Sequence, residues 1–186
     1  MESFYVICTN CFLIVLCTTD FSSFHICLSS DTKQRSILMR KADFDIIMVA
    51  RSFIIFKKRL LAIRRTAIAR NNPSLWEVPG GQRKDEQSIR STLKREVKEE
   101  TGLSVQPIEL TTSHQYKTML GGKYDGALQI VCFGISLVEE STVILSHEHD
   151  DSRWCRYDDF MRLNLTKQTR QAALASRLRL QSLGVL

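Results

Sequence analysis

One stretch constrains this chain more than any other. Gly80-Gly81-Gln82-Arg83-Lys84-Asp85-Glu86-Gln87 runs on to Arg95-Glu96-Val97-Lys98-Glu99-Glu100-Thr101-Gly102-Leu103. It reads as a tight glycine turn, a polar loop, a helix and a glycine stop. Pro79 stiffens the approach, and Gly80 and Gly81 accept backbone angles that residues with a Cβ resist. The pattern predicts a helix over residues 88–101, with Gly102 as its left-handed cap. On a helical wheel Ile89, Leu93 and Val97 form one apolar stripe, while Ser91, Lys94, Arg95 and Lys98 fall on the solvent side. Glu96, Glu99 and Glu100 share one arc that overlaps the edge of the stripe.

Carboxylates packed this way repel one another, and those near the buried edge lose hydration. A hard divalent cation relieves both costs. Mg²⁺ takes oxygen ligands and keeps waters and substrate phosphates in its shell. The competing reading is a solvated acidic patch on a surface helix.

The segment resembles the Nudix box: Gly, five residues, Glu, seven residues, then Arg-Glu-apolar-x-Glu-Glu-x-Gly-apolar. Counting from Gly81, the chain supplies Arg95, Glu96, Val97, Glu99, Glu100, Gly102 and Leu103 in register. It departs at Gln87, which stands where the pattern has its first Glu; Glu86 is one residue early. In the family that Glu supports the loop and helix rather than the main metal cluster. The likeness extends more loosely over residues 45–183. It implies an α+β fold, a Nudix-like α/β/α sandwich around a mixed β-sheet. It also implies a hydrolase that cuts within the pyrophosphate of a nucleoside diphosphate linked to another group, using Mg²⁺ or Mn²⁺.

Length and charge bound the rest. A chain of 186 residues buries one good core. A net charge of +6 suits an anionic partner such as nucleotide phosphate, nucleic acid or acidic membrane. No dense Lys/Arg run with interleaved aromatics marks a nucleic-acid surface, so a nucleotide is the favoured partner and nucleic acid the unfavoured one. A homodimer stays open.

Residues 1–44 read as an N-terminal extension of uncertain order, and 45–186 as the catalytic domain. The first thirty residues carry only Glu2 and Asp20 as charges and hold Cys8, Cys11, Cys17 and Cys27. Their apolar part is shorter than the roughly 20 residues of a membrane helix. It lacks the basic start of a signal peptide. Cys8-Thr-Asn-Cys11 has zinc-knuckle spacing but no second pair, so reduced thiols are preferred to a zinc site. Cysteines without a regular framework suit a reducing, cytoplasmic setting.

Along the domain, residues 46–56 read as a strand, 57–59 as a turn and 60–64 as the return strand. Arg64 then ends near the glycine turn, where it could hold a phosphate bidentately. Arg51, Arg65 and Arg70 are further candidates. Trp76 reads as core, and Glu77 either faces the metal cluster or pairs with an arginine. Residues 104–112 and 127–138 read as strands, with a loop over 114–123 that turns at Gly121-Gly122. Tyr116 and Tyr124 are candidates to stack on a nucleobase or to pack. Before Trp154 comes Ser146-His147-Glu148-His149-Asp150-Asp151. A Glu-His pair ahead of such a strand also resembles the family, and makes Glu148 a fourth carboxylate. A transition-metal site at His147-Glu148-His149 ranks below that reading. Asp158-Asp159 read as the cap of a short helix ending at 163, and 166–182 as a basic amphipathic helix packed on the sheet.

Pyrophosphate hydrolysis needs the phosphate charge neutralised, a water held in line and a proton removed. Glu96, Glu99, Glu100 and Glu148 are the metal-ligand candidates, with Glu99 and Glu148 as catalytic residues. Gly80, Gly81 and Arg64 are the substrate-binding candidates. Two rival classes stand beside this: a catalytically silent nucleotide- or protein-binding domain, motivated by Gln87, and an RNA- or RNA-cap-directed protein, motivated by the basic charge.

Overall fold

The computed structural model describes residues 46–84, 87–117 and 127–185, together with four strand segments in the first forty residues. Glu86, Tyr124, the Gly121-Gly122 turn, Cys11 and the side chains of Cys8 and Tyr116 lie outside the described residues. The chain divides into two compact units, Met1–Met48 with Thr112–Val131, and Val49–Thr111 with Cys132–Leu186.

In the first unit β1 (Tyr5–Cys8), β2 (Phe12–Val15), β3 (Ser23–Leu28) and β4 (Arg35–Arg40) pair in chain order as an antiparallel meander. The larger sheet is built from β5 (Ile46–Phe56), β6 (Arg59–Arg65), β7 (Trp76–Glu77), β8 (Gly80–Gln82), β9 (Gln106–Lys117), β10 (Leu128–Leu137) and β11 (His149–Cys155). Its order is β11-β6-β5-β10-β9, with β7 added to β6 and β8 added to β5. Helix α1 (Ile89–Thr101) follows the glycine turn, and α2 (Tyr157–Arg162), α3 (Lys167–Ala175) and α4 (Arg177–Ser182) close the chain.

β5 is apolar on both faces, the pattern of a strand covered from two sides. On one face Ile54, Leu61, Ile63, Val97, Leu103 and Val105 form a buried cluster that holds α1 against the sheet. On the other, Phe53 stacks on Phe133 with ring centroids 5.9 Å apart and meets the edge of Phe160 from α2 at 6.3 Å. Tyr157 donates to the Ala173 carbonyl of α3 at 3.1 Å. Helices therefore flank a mixed sheet in an α/β/α sandwich, as the sequence predicts. Ser52, a fully buried polar residue of β5, is satisfied by Ser136 of β10 at 2.7 Å.

Three elements differ from expectation. The basic helix over 166–182 is broken in two at Ser176, which is buried and donates its hydroxyl to Thr111 Oγ1 at 2.8 Å. Asp158 and Asp159 lie inside the first turn of α2, whose cap is Arg156 with no side-chain bond. Strand β9 also continues to Lys117, beyond the predicted end at 112.

Candidate active site

The site grows from β8 and α1. Gly80 and Gly81 pair with Arg51 and Ala50 of β5, close enough that a Cβ on Gly80, at φ 144°, would strike the Ala50 carbonyl. A Cβ on Gly81 would strike the Glu96 carboxylate instead. The two glycines thus have different reasons to be there: one admits a neighbouring strand, the other admits an acid. The Gly80 amide donates to Glu100 Oε2 at 2.8 Å, so the same turn touches two of the three helix glutamates.

Helix α1 forms as its sequence dictates. Ser88 caps it by accepting from the Ser91 amide at 3.1 Å, and Gly102 ends it at φ 73°. Leu93 and Val97 are buried, and Glu96 and Glu100 flank them at the rim, with Glu99 further out and half exposed. Arg95, placed on the solvent side by the wheel, is instead only 19% exposed. It binds Glu96 Oε1 at 2.7 Å and Glu99 Oε2 at 3.0 Å, so a cation already bridges two of the acids.

Glu148 arrives by a loop stitched to the end of α1. The Ile144 amide donates to the Thr101 carbonyl at 2.9 Å, and that of Ser146 to the Glu100 carbonyl at 3.0 Å. These bonds satisfy carbonyls that a helix end leaves open. Glu148 is half exposed and accepts from Arg65 at 3.2 Å. His147 is exposed and His149 buried, so the two imidazoles do not converge on a shared ion.

Beneath the turn lies a cluster assembled from distant segments. Glu77 is 1% exposed and is held by Arg51 at 3.0 Å and Arg65 at 3.3 Å, with His149 Nε2 at 3.5 Å. Of the two roles open to Glu77 in the sequence, pairing with arginine is the one found. Arg51 also donates to the Val78 carbonyl at 2.9 Å, and the Ser52 amide to that of Pro79 at 2.9 Å, which fixes the approach to the glycines. Arg64 is directed elsewhere. Its Nε donates to Asp150 at 2.7 Å, and its guanidinium lies 5.6 Å over the Trp76 ring. Asp150 holds the Arg64 guanidinium in its charged form still more firmly. Trp76 is buried, as read.

Burial works differently on the two withdrawn glutamates. For Glu77 burial alone would raise the pKa, but Arg51, His149 and Arg65 together pull it down to about 2. For Glu100 burial prevails over His149, Arg51 and the Gly80 amide, and pushes it up to about 7. Among the described residues no three His, Cys, Asp or Glu side chains form a ready-made cage for an ion. The donors beside the turn do suit one. They are all carboxylate oxygens, Gly81 leaves them space, and Glu100 lacks a full counter-charge. Glu96, Glu99 and Glu100 are the residues that would hold a divalent cation.

A glycine turn laid against an acidic helix on the rim of an α/β/α sandwich defines a class. The model of the NUDIX domain matches residues 47–176, and the chain belongs to that family of pyrophosphohydrolases. Solved structures share the fold. The MutT protein of Methanosarcina mazei Go1 is 22% identical, with 76% of this chain and 97% of that one covered at a TM-score of 0.62. The ORF135 protein of E. coli is 26% identical, with 73% and 94% covered at 0.57. A C. elegans Ap4A hydrolase is 19% identical, with 73% and 98% covered at 0.57. No curated protein matches the chain. Among the described residues no helix is long and apolar enough to cross a membrane.

Proposed function

We propose that this chain hydrolyses the pyrophosphate of a nucleoside diphosphate linked to another group, with a nucleoside triphosphate as the default substrate and Mg²⁺ or Mn²⁺ as the metal. The observation that carries the reading is the contact of one glycine turn with two helix acids, Gly80 on Glu100 and Gly81 over Glu96. When bound, the metal neutralises phosphate charge and acidifies water. Glu96, Glu99 and Glu100 would hold it. Glu148, half exposed and steadied by Arg65, ligates it or takes the water proton at its carboxylate, and Glu99 shares that duty. The Gly80-Gly81 backbone lets the diphosphate approach. Arg64 is the proposed phosphate contact and must leave Asp150 to serve.

The catalytic domain in this reading is residues 45–186, with 1–44 as an extension. We place the chain in a reducing, cytoplasmic setting; among the described residues the thiols of Cys132 and Cys155 are free and buried. A second reading, a silent binding domain, draws support from Arg95, whose guanidinium occupies Glu96 and Glu99.

The test is a phosphate-release screen with Mg²⁺ over triphosphates, sugar nucleotides and dinucleotides; the C. elegans relative, an Ap4A hydrolase, puts that dinucleotide on the panel. Turnover of one class that needs the metal is the expected result. Silence of the folded protein across the panel selects the binding domain.

A further inference from the structure

Among the described residues the Arg95 guanidinium has four acceptors around it. Nε donates to Gln87 Oε1 at 3.2 Å and NH2 to the Gln82 carbonyl at 3.0 Å. The remaining bonds go to Glu96 at 2.7 Å and Glu99 at 3.0 Å. Two partners are therefore proposed metal ligands and two are neutral oxygens. One positive charge is shared by two carboxylates, on a side chain that is four-fifths covered.

We propose that Arg95 competes with a divalent cation for Glu96 and Glu99, and that the neutral Gln87 sets the strength of that competition. The inference rests on the metal-dependent reading above. When the two carboxylates turn their charge toward an ion, Arg95 loses both charged partners. Among the described residues it keeps only the amide oxygen of Gln87 and the carbonyl of Gln82, and a partly buried guanidinium without a counter-charge is costly. A carboxylate at position 87 would stay on Nε in both states and remove most of that cost. Gln87 therefore lowers metal affinity without touching the ion. In the metal-free protein the same arrangement keeps Glu96 and Glu99 neutralised, so the helix rim does not repel itself. Gln87 and Arg95 act through the ligands and are positioning residues.

The experiment is a calorimetric titration of MgCl₂ into the full chain, for wild type, Gln87→Glu, Arg95→Gln and the double variant, each checked for fold by circular dichroism. Gln87→Glu is expected to tighten Mg²⁺ binding about tenfold, the scale of an outer-shell change. Arg95→Gln is expected to bind at least as tightly as wild type, and in its background the gain from Gln87→Glu should shrink below about twofold. If Arg95→Gln does not fold, Arg95→Lys replaces it, and the gain should again shrink, since one ammonium cannot serve both acids. Unchanged affinity in Gln87→Glu, with wild type binding Mg²⁺, overturns the inference and leaves the hydrolase reading standing. So does weaker binding in Arg95→Gln, or an equal gain in both backgrounds. Absence of Mg²⁺ binding in wild type and Gln87→Glu alike overturns the inference and the metal reading together.

Discussion

Glu77 and Glu100 are both withdrawn from water, and they end in opposite states. Glu77 sits in β7 with Arg51, Arg65 and His149 around it and stays ionised down to about pH 2. Glu100 sits at the rim of α1 with one backbone amide as its near partner and holds its proton up to about pH 7. The first region carries its cations in the chain. The second leaves a carboxyl group short of positive charge beside the two glycines of the turn. A buried acid that is fully paired serves the frame, and one left short of positive charge is where an external cation gains most.

That contrast can be broken by substitution. The largest effect is expected at the rim: Glu99→Gln or Glu100→Gln should reduce Mg²⁺-dependent turnover by about a thousandfold, several kcal/mol of lost transition-state stabilisation, with circular dichroism unchanged. Full turnover in Glu99→Gln would remove it from the ligand set. At the floor the cost falls on the fold. Glu77→Gln strips the counter-charge from two partly buried arginines and should cost about 3 kcal/mol in urea denaturation. Glu100→Gln, unfolded in urea at pH 8 without metal, should cost nothing or stabilise. Equal losses in the two variants would erase the distinction between the regions.

The pH response sharpens it further. Glu100 binds its proton more tightly folded than unfolded, so its contribution is complete below its ordinary value of 4.5 and fades as pH rises through about 7. Metal-free protein should therefore lose on the order of 2 kcal/mol between pH 5 and 8, and the rise in Tm on adding Mg²⁺ should grow over the same interval. Glu77 runs the other way: its contribution is present above 4.5 and is lost as pH falls toward about 2. A Mg²⁺ shift in Tm that is flat from pH 5 to 8 would contradict the state assigned to Glu100. The smallest effect is the cap. Ser88→Ala removes the bond to the Ser91 amide and should cost about 1 kcal/mol in denaturation with turnover little changed.

The rim was legible in the sequence and the floor was not, for a physical reason. Ser88, the arc of glutamates, Gly102 and the glycine turn follow from local spacing within one helix and its flanks, where geometry is set by the chain itself. The Glu77 cluster joins β5, β6, β7 and β11, and only strand register decides which arginine arrives. Arg64 and Arg65 are adjacent, yet one meets Asp150 and the other Glu77 and Glu148. The sequence put Arg64 ahead of Arg65 for phosphate, but it carries no register to say which face each takes. The same limit explains Ser176, whose hydroxyl finds Thr111 in β9 and breaks a helix that periodicity carries through. Arg95 was misplaced on the wheel because a wheel records angle and not the four acceptors that draw the side chain down.

The acids at the helix rim are proposed to grip a divalent ion. That grip is tested most directly by Mg²⁺ calorimetry near pH 7 on wild type and on the Glu99→Gln, Glu100→Gln double variant. A binding isotherm with proton release is expected in wild type and none in the folded double variant. Equal isotherms in the two proteins would contradict it.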